Sequence, residues 1–480
     1  MQERRTKWST NFSEWFRDVI FQAGVYDYRY PVKGAGVWPP LGMRLRNNVI
    51  NLMKRLLDET GHEEVLFPTL IPEELIGKEA EHIAKFEEEI FWVTRGGKES
   101  LSHRLALRPT SETAIMEMFK LWIHSHTDLP IKIYQVVSVF RCETKATAPM
   151  IRLREISMFK EAHTAHRNRE EAEEQVKEAI NIYKEFFERL AIPFIISIRP
   201  EWDKFAGAVY TIAFDTLMPD GKTLQIGTVH YLGTNFSKAF DVTYLTPQGT
   251  HEYVHTTSYG ISERVIAALI AVHGDDHGLV LPPFIAPIQI VIVPIMYGED
   301  VEVLNYSKEV FEELRKKGYR VVLDDRRDIT PGEKYYYWEL RGVPLRIEIG
   351  PRDLKQKEVT LVRRDTFKRV SVSKESYLKV LEETLNKIHC TVRERAYAWF
   401  NIKFHKARNL KEVWEILEER KGVVEVPWCG NDECGLKLEE EVKGNVLGYD
   451  INEDKSAVKG EKCIICGKDA EHWIRVARRY

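Results

Sequence analysis

The chain has 480 residues, enough for about three domains of average size. Its hydrophobic content of 44% and charged content of 30% exclude an intrinsically disordered chain. A formal net charge of −3 excludes a globally basic surface, so any nucleic-acid contact has to be local. The longest apolar runs are too short to span a bilayer, and the first residues lack the apolar core of a signal peptide. The sequence therefore predicts a cytoplasmic protein with no membrane partner.

The first elements are predicted to be helices and one short strand. Aromatic residues recur at helical spacing before a turn segment rich in Gly and Pro, and apolar positions over Met43–Thr60 predict a second helix. Val65–Pro68 has the composition of a short strand that ends at a proline. LALRPTSE then leads into an apolar helix, and its Thr110 and Ser111 are typical of a helix N-terminus.

The stretch that begins FRCETK is predicted to form a β-hairpin. An apolar strand, Ile133–Phe140, precedes Arg141 and Glu143, whose spacing places both side chains on one face of an extended strand. The returning strand carries Glu161 and His163. Arginines and carboxylates fixed on one face suit a substrate that carries phosphates, a carboxylate and an amine. Taken alone, the pattern is also compatible with a salt-bridged surface hairpin.

A second hairpin follows an amphipathic helix predicted over Arg169–Leu190. Its turn is Pro-Asp-Gly, and its returning strand carries the polar residues Gln225, Thr228 and His230 among apolar ones. Gln225 is out of phase with the other two, so a bulge or twist is needed to bring all three to one site.

An apolar helix is predicted over Tyr259–His273, with Arg264 in its first turn. Burying a guanidinium without an anion is costly, so this position indicates a bound anion.

Pro282–Pro283 marks a predicted boundary, after which strands and helices alternate. The alternation predicts a separate α/β domain with a mixed sheet. Strands are predicted over 288–295, 319–324, 345–349, 359–362 and 370–372, and helices over 300–317, 333–340 and 374–388. Basic residues near the last hairpin are either a nucleic-acid-facing patch or charges that protect an exposed edge: Arg363, Arg364, Lys368 and Arg369.

Four of the six cysteines lie near the end of the chain, as Cys429-x4-Cys434 and Cys463-x2-Cys466. In a cytosolic protein this clustering favours a metal over disulfides. Paired thiolates at these spacings can close a tetrahedral zinc site without an open position, which indicates structural zinc. The alternative is four unrelated thiols.

The ordered set of VLFP, RPTSE, FRCE, RLREISMFKEAHTAH, TVHYLG and GISER resembles class II prolyl-tRNA synthetases of the archaeal/eukaryote-like type. The resemblance implies an α+β fold that starts with a class II antiparallel-sheet catalytic domain at residues 1–283. An α/β anticodon-binding domain with a mixed sheet is implied at 284–395, and a small α/β zinc-binding domain at 396–480. A homodimer is also implied, with the segment around Pro68 at its interface.

The resemblance also implies roles for individual residues. Those expected around L-proline are Thr110, Glu112, Arg141, Phe159, Glu161, His163, Phe205 and His230. Those expected around ATP are Arg141, Glu143, Arg152, Gln225, Thr228, Ser262 and Arg264. Catalysis is expected to rest on Arg141, Glu143 and Arg264, with Mg²⁺ held by Glu143 and Gln225 together with ATP. The structural zinc is expected on Cys429, Cys434, Cys463 and Cys466, and Tyr480 is expected to fold back toward the site.

The implied function is ATP-dependent attachment of L-proline to tRNA(Pro) through a prolyl-adenylate, with release of AMP and pyrophosphate. The segment between His166 and Tyr259 is fully used by the catalytic sheet and helix, so a cis-editing domain is not expected. Because apolar contacts discriminate weakly, we expect alanine or cysteine to be misactivated as well. The sequence departs from the family near Phe159, where a tryptophan would be expected.

Two alternatives differ in what they require. Threonyl-tRNA synthetases share the architecture but need metal ligands inside the catalytic domain, whereas the paired cysteines lie outside it. A non-catalytic relative that only binds RNA would have lost phosphate-binding residues, yet Arg141, Glu143 and Arg264 are all present.

Overall fold

The computed structural model describes residues 6–78, 87–296 and 301–480. Helices of the first part are α1 (Phe12–Gln22), α2 (Pro40–Asp58), α3 (Glu73–Ile76), α4 (Glu112–Trp122), α5 (Arg169–Arg189), α6 (Asn235–Phe240) and α7 (Arg264–His273). Its strands are β1 (Glu63–Glu64), β2 (Leu70–Pro72), β3 (Phe91–Gly96), β4 (Glu99–Leu107), β5 (Ile131–Phe140), β6 (Glu155–His166), β7 (Ile195–Ile198), β8 (Tyr210–Leu217), β9 (Thr223–Gly233), β10 (Thr243–Leu245), β11 (His251–Tyr253) and β12 (His255–Ile261).

A large sheet forms the centre of this part, with strands in the order β1-β5-β6-β12-β9-β8-β7. Pairing is antiparallel from β5 through β7, and only β1 pairs in parallel with β5. Side chains of α2, α5 and α7, among them Leu52, Tyr183 and Leu269, pack with the sheet in one buried core. The predicted antiparallel sheet flanked by helices is confirmed.

Strand β6 shows how the sheet separates core from site. Successive side chains of a strand point to opposite faces, so Phe159, Glu161 and His163 share one face. Lys160 points to the other face, where it meets Tyr183 of α5. The helices thus cover one face of the sheet, and the other face is free to line a cavity.

The predicted strand at Val65–Pro68 is wrong, because regular strand structure occurs only before and after it, in β1 and β2. Pro68 has no backbone N–H to donate. The N–H of Phe67 donates to Oε1 of Gln135 (2.9 Å), and its carbonyl accepts from Nη1 of Arg108 (2.8 Å). Only Val65 bonds to a neighbouring strand, through its N–H to the carbonyl of Tyr134 in β5 (2.9 Å), whereas side chains satisfy the backbone of Phe67.

The predicted helix start at Tyr259 is also wrong. Residues up to Ile261 belong to β12, and α7 begins at Arg264. Tyr259 pairs with Ala162 on one side and Val229 on the other, which holds its backbone extended. A short apolar run does not distinguish a buried strand from a helix, and this explains the error.

Arg141 and Glu143 do not lie on a continuous strand, because β5 ends at Phe140. The N–H of Arg141 still donates to the carbonyl of Arg154 (2.9 Å), but the N–H of Glu143 donates to the carbonyl of Arg141 (2.7 Å). This tight turn, not strand alternation, brings the two side chains to the same cavity. The predicted hairpin itself is confirmed by the antiparallel pairing of β5 with β6.

The second part contains β13 (Ile290–Pro294), α8 (Val301–Lys316), β14 (Val321–Leu323), α9 (Pro331–Leu340), β15 (Leu345–Ile349), α10 (Pro351–Gln356), β16 (Glu358–Arg363), β17 (Arg369–Ser373) and α11 (Tyr377–Asn401). Its strand order is β14-β13-β15-β16-β17, with parallel and antiparallel pairs, which confirms the predicted mixed sheet. Position 300, where the first helix was predicted to begin, lies outside the described residues. Sequence analysis missed α10, and α11 runs well past its predicted end at 388 and across the predicted boundary at 395.

The basic residues near the β16–β17 hairpin have different surroundings. Arg364 is only 3% exposed, and both of its Nη atoms donate to the carboxylate of Asp275 (2.7 and 2.6 Å). Arg369 lies on the edge strand β17, where it pairs with Glu348. Arg364 therefore joins the second part to the first and does not belong to a surface patch.

The third part extends the large sheet. It contains β18 (Phe404–Lys406), α12 (Leu410–Glu415), β19 (Val423–Trp428), α13 (Asp432–Val442), β20 (Asn445–Asp450) and β21 (His472–Ala477). Strand β20 pairs antiparallel with β7, so that the sheet continues as β7-β20-β21-β19-β18. Within the described ranges, none of the helices has the length and apolar character needed to cross a membrane.

Candidate active site

The free face of the sheet lines a cavity of about 530 Å³. Every residue predicted to contact proline or ATP lines it: Thr110, Glu112, Arg141, Glu143, Arg152, Phe159, Glu161, His163, Phe205, Gln225, Thr228, His230, Ser262 and Arg264. These residues come from β6, β9, the start of α4, the loop after β7, the β5–β6 connection and the start of α7. Positions far apart in the sequence are thus brought to one concave surface.

One end of the cavity is built around Glu161 and His163, which are both buried. The Oε1 atom of Glu161 accepts from Oγ of Ser111 (2.5 Å) and Nε2 of Gln135 (2.9 Å), and its Oε2 atom lies 3.3 Å from Nε2 of His163. Burial alone would raise the pKa of Glu161, but these hydrogen bonds and the charge of His163 outweigh it and lower the pKa.

For His163, burial alone would lower the pKa, but Glu161 and the charge of Glu112 together raise it. Each member of the pair therefore favours the charged form of the other.

His230 differs from His163 in the direction of its pKa shift. Burial lowers its pKa to about 4, so its imidazole is neutral near pH 7. Its Nδ1 atom lies 2.9 Å from Oγ1 of Thr211, which also accepts the backbone N–H of Phe205 (2.9 Å). The rings of Phe205 and His230 lie 4.6 Å apart between centroids. An apolar, neutral wall thus faces the charged pair.

Thr110 and Glu112 complete this end of the cavity. The hydroxyl of Thr110 donates to Oε2 of Glu112, and both side chains are buried. Ser111 occupies the N-cap position of α4, but its hydroxyl donates to Glu161 instead of capping the helix. Two carboxylates, Glu112 and Glu161, are therefore available to a cationic group of a ligand.

The other end of the cavity is cationic. Arg264, the first residue of α7, donates from Nε to the carbonyl of Ile151 (2.8 Å). Its pKa is lowered to about 10 by burial and then by the nearby guanidinium groups of Arg141, Arg479 and Arg152. Like charges gathered in a buried site raise each other's energy, so this end is suited to a polyanion.

Glu143 and Gln225 lie near these arginines. An oxygen of the Glu143 carboxylate is 3.8 Å from Nε of Arg152. The register of β8 against β9 shifts so that Ile226 has no partner, which is the bulge predicted from the phases of Gln225 and Thr228. The Oε1 atom of Gln225 accepts from Nη2 of Arg199 (3.2 Å).

The four cysteines of the third part form a separate cluster. The Sγ atoms of Cys429, Cys434, Cys463 and Cys466 all lie within 4.8 Å of one another. Four thiolates around a tetrahedral zinc ion at about 2.3 Å place their sulfur atoms about 3.8 Å apart. The cluster therefore fits a zinc ion after only small shifts of the side chains.

Three family models match the chain in the order of its parts. The model of the class II tRNA synthetase core domain (G, H, P, S and T) matches residues 91–273. An anticodon-binding domain model matches residues 289–384, and the C-terminal domain model of prolyl-tRNA synthetase matches residues 410–480.

Two relatives are similar over almost their whole length. A proline–tRNA ligase from Ignicoccus hospitalis is 57% identical over 474 residues, covering 98% of both chains. A proline–tRNA ligase from Sulfurisphaera tokodaii is 55% identical over 484 residues, covering 100% of both. The chain belongs to the prolyl-tRNA synthetase family.

A solved structure of the prolyl-tRNA synthetase family gives the same result at the level of the fold. The Giardia lamblia prolyl-tRNA synthetase in complex with prolyl-adenylate superimposes with a TM-score of 0.95 and 37% sequence identity, covering 99% of both chains. The resemblance stated from the sequence motifs is confirmed, as is the class II catalytic fold.

Sequence reasoning missed several residues that line or support the cavity of this prolyl-tRNA synthetase family member. They are Glu89, Ser111, Gln135, Arg199, Asp203, Lys204, Glu263 and Arg479. Ser111 lies within the RPTSE motif and Glu263 within GISER, so their motifs already marked them. Arg479 comes from the other end of the chain, and only the packing of the third part brings it to the cavity.

Proposed function

We propose that this protein attaches L-proline to tRNA(Pro), using ATP to form a prolyl-adenylate first. The observation that carries the proposal is the polarity of the cavity. One end holds the buried carboxylates Glu112 and Glu161 with an apolar wall, and the other holds the guanidinium groups of Arg141, Arg152 and Arg264. Such a site suits an amino acid with an apolar ring at one end and a triphosphate at the other.

At the proline end, the secondary ammonium group is expected to contact the Glu112 and Glu161 carboxylates. Thr110 and Ser111 orient these carboxylates by hydrogen bonds, and Gln135 fixes Glu161 from behind. The ring of the substrate would rest against Phe205, His230 and Phe159. Ordered carboxylates that are already desolvated lower the reorganisation needed when the substrate binds.

In the first step, a proline carboxylate oxygen attacks the α-phosphorus of ATP, and the bond to the bridging oxygen of pyrophosphate breaks. No proton has to be removed from a carboxylate, so the step needs no general base. Negative charge spreads over the phosphoryl oxygens, where Arg141 can stabilise it, while Arg264 holds the γ-phosphate. In the second step, a hydroxyl of the 3′-terminal adenosine of tRNA attacks the prolyl carbonyl and AMP leaves.

Magnesium is expected to accompany ATP. Glu143 and Gln225 are the proposed ligands, since both line the cationic end and offer the oxygen atoms that Mg²⁺ prefers. When bound, the ion supplies additional neutralisation of phosphate charge. The chain's own contribution is to hold Glu143 near Arg152 and to orient Gln225 through Arg199.

The remaining features of the proposal concern metal, partners and location. The cysteine cluster is proposed to hold structural zinc, and the protein is proposed to act as a cytoplasmic homodimer. Leu66 and Leu70, two residues before and after Pro68, are 81% and 43% exposed, so this segment leaves apolar surface for a second copy to cover. The domains are proposed to span residues 1–283, 284–395 and 396–480, and helix α11 runs across the boundary between the last two.

Exchange between ATP and labelled pyrophosphate, measured with each standard amino acid, tests the first step. We expect exchange with proline and charging of tRNA(Pro) in the same preparation. Exchange with none of the amino acids contradicts the enzyme assignment, and exchange with threonine but not proline contradicts the substrate.

Misactivation of alanine or cysteine is also proposed, because apolar contacts discriminate by only about 10–200-fold per methylene group. Saturating alanine or cysteine should therefore produce adenylate at a reduced rate. Adenylate formation with proline alone would rule this part out and leave the proline activity untouched.

A further inference from the structure

The loop of residues 199–209 connects β7 to β8 and carries Phe205 to the proline end of the cavity. Phe205 is fixed locally by the hydrogen bond from its N–H to Oγ1 of Thr211 (2.9 Å). The loop has no helix or strand of its own, so contacts from outside it hold its position. After Phe205, the carbonyl of Gly207 accepts from Nδ2 of Asn235 (2.9 Å), and other contacts hold the residues just before Phe205. Two of them, Trp202 and Asp203, contact the third part of the chain.

Trp202 packs into the core of the third part. Its ring lies 6.3 Å from that of Trp428 between centroids, at 80°. Gly435 in α13 lies so close that a Cβ atom there would be 2.1 Å from Cη2 of the indole. Only glycine at position 435 leaves room for the indole ring, so Trp202 packs directly against the backbone of α13.

Asp203 is held by an ion pair with Arg479. Its Oδ2 atom accepts from Nη1 of Arg479 (2.7 Å), and Nε of Arg199 lies 3.5 Å from the same oxygen. Both members of the Asp203–Arg479 pair are about one-quarter to one-third exposed, and Arg479 lines the cavity.

Arg479 is itself held in place by its neighbours in the chain. The N–H of Thr223, at the start of β9, donates to the carbonyl of Arg478 (2.8 Å). The N–H of Tyr480 donates to the carbonyl of Thr223 (3.2 Å), and the Tyr480 hydroxyl donates to Asp220 (2.7 Å). Tyr480 therefore packs toward the β8–β9 turn, and Arg479 is the residue of this segment that reaches the cavity.

We propose that Trp202, Asp203 and Arg479 are positioning residues that hold Phe205 over the proline end of the cavity. The third part of the chain thus supports the amino-acid pocket through two contacts with the loop. These are the packing of Trp202 against α13 and the ion pair between Asp203 and Arg479. The proposal rests on the proposed function, in which Phe205 covers the proline ring. It predicts that loosening either contact weakens proline binding and leaves ATP binding unchanged.

The rival explanation is that Arg479 binds a phosphate of ATP directly, since it lies near Arg264. The two explanations differ in the substrate they affect. A positioning residue for the loop raises the KM for proline, whereas a phosphate ligand raises the KM for ATP.

The test compares Arg479→Gln with Arg478→Gln in the full chain, by pyrophosphate exchange with proline and ATP varied separately. Arg478 is the matched control, because it is adjacent in sequence but contacts Glu418 and the carbonyl of Lys443, both away from the cavity. For Arg479→Gln we expect the KM for proline to rise about fivefold, a partly exposed ion pair being worth about 1 kcal/mol. The KM for ATP and the unfolding temperature should stay unchanged, as should all constants of Arg478→Gln.

Two further variants separate the loop contact from other effects of Arg479. Asp203→Asn should raise the KM for proline at least as much, because its carboxylate also lies near Arg199, and the double variant should raise it no further than Asp203→Asn alone. Gly435→Ala, checked for unchanged metal content, should act in the same direction by displacing Trp202.

An unchanged KM for proline in Arg479→Gln, or a raised KM for ATP, overturns the inference. Additive effects of Asp203→Asn and Arg479→Gln overturn it as well. If the wild-type protein shows no exchange with proline, the proposed function is wrong. That result comes from the wild-type protein alone, so it is distinct from a failure of the positioning role, which only the variants can show.

Discussion

Nε2 of His163 lies 3.3 Å from Oε2 of Glu161, two residues apart on the cavity face of β6. Both side chains are almost fully buried, so their charges depend on each other. The pKa of the carboxyl group is lowered and that of the imidazole is raised, although burial acts in the opposite direction on each. This charged pair distinguishes the proline end of the cavity from the neutral wall formed by His230 and Phe205.

The pair should give the protein a specific dependence of stability on pH. The contribution of Glu161 is present above the ordinary carboxyl pKa of about 4.3 and is lost as the pH falls through its lowered pKa. The contribution of His163 is complete below the ordinary imidazole pKa of about 6.5 and is lost as the pH rises through its raised pKa. We expect His163→Gln to lower the free energy of unfolding most between about pH 5 and 6.5, and less at higher pH.

Denaturant unfolding of wild type and His163→Gln at several pH values measures this difference. His103→Gln is the control, because His103 pairs with Glu74 on the surface and its side chain is 71% exposed. A difference for His163→Gln that is constant with pH would contradict a charged pair.

Arg264→Gln should lower activity without lowering stability. Losing one preorganised cation that stabilises phosphate charge typically costs about 10²–10³ in rate. In the free protein, however, burial and the charges of Arg141, Arg152 and Arg479 already disfavour the Arg264 cation. We therefore expect pyrophosphate exchange to fall by about this factor while the unfolding temperature is maintained.

The control for this experiment is Arg315→Gln, a change at an exposed ion pair with Glu312 on α8. Loss of exchange in Arg264→Gln accompanied by a clear drop in unfolding temperature would show that Arg264 is a structural residue instead.

The sequence predicted which residues come together in the cavity better than it predicted the local backbone. Motif residues such as Glu161, Thr228 and Arg264 all reach the cavity, because each motif carries its own turn, strand or helix start. Even the bulge in β9 followed from the phases of Gln225 and Thr228. Chemistry that is encoded in short motifs can be recognised without knowing the packing between them.

Errors arose where tertiary contacts decide the backbone. The backbone of Phe67 is held by hydrogen bonds from the side chains of Gln135 and Arg108. Secondary-structure propensities of single residues do not include such contacts. Tyr259 is extended only because strands lie on both sides of it. The pairing of β20 with β7, which joins the third part to the catalytic sheet, brings together segments about 250 residues apart and has no local signal.

Cys429→Ser should remove bound metal and destabilise the third part. Cys429 follows β19 and Cys434 lies in the first turn of α13, whereas Cys463 and Cys466 lie in the connection between β20 and β21, so a metal ion closes this region as a cross-link. We expect wild-type protein to contain zinc, by elemental analysis, and Cys429→Ser to lose it and unfold at lower temperature. Cys390→Ser, at an exposed cysteine on α11, should change neither quantity. Wild-type protein purified without chelators and free of zinc would contradict the assignment.

On the opposite face of β6, Lys160 is fully buried and donates from Nζ to the hydroxyl of Tyr183 (2.8 Å) and the carbonyl of Tyr259 (3.3 Å). Its amine also lies over the rings of both tyrosines, at 4.7 and 5.0 Å from their centroids. Burial lowers the pKa of Lys160 well below its ordinary value, and the charge of Glu161 only partly opposes this. The folded protein therefore binds this proton less readily than the unfolded chain does.

Stability should rise with pH wherever the unfolded state binds more protons, which for Lys160 means the range between its lowered pKa in the folded protein and its ordinary pKa of about 10.4. Lys160→Met keeps the shape of the aliphatic part of the side chain and removes the amine. The increase of stability with pH should therefore be smaller in the variant than in wild type. The measurement is the free energy of unfolding in denaturant at several pH values below about 10.4. Lys177→Met on the exposed face of α5 should follow wild type, since Lys177 is 65% exposed and pairs only with Glu174. Equal slopes for wild type and Lys160→Met would mean that the buried amine keeps its proton on folding, supported by the tyrosine rings.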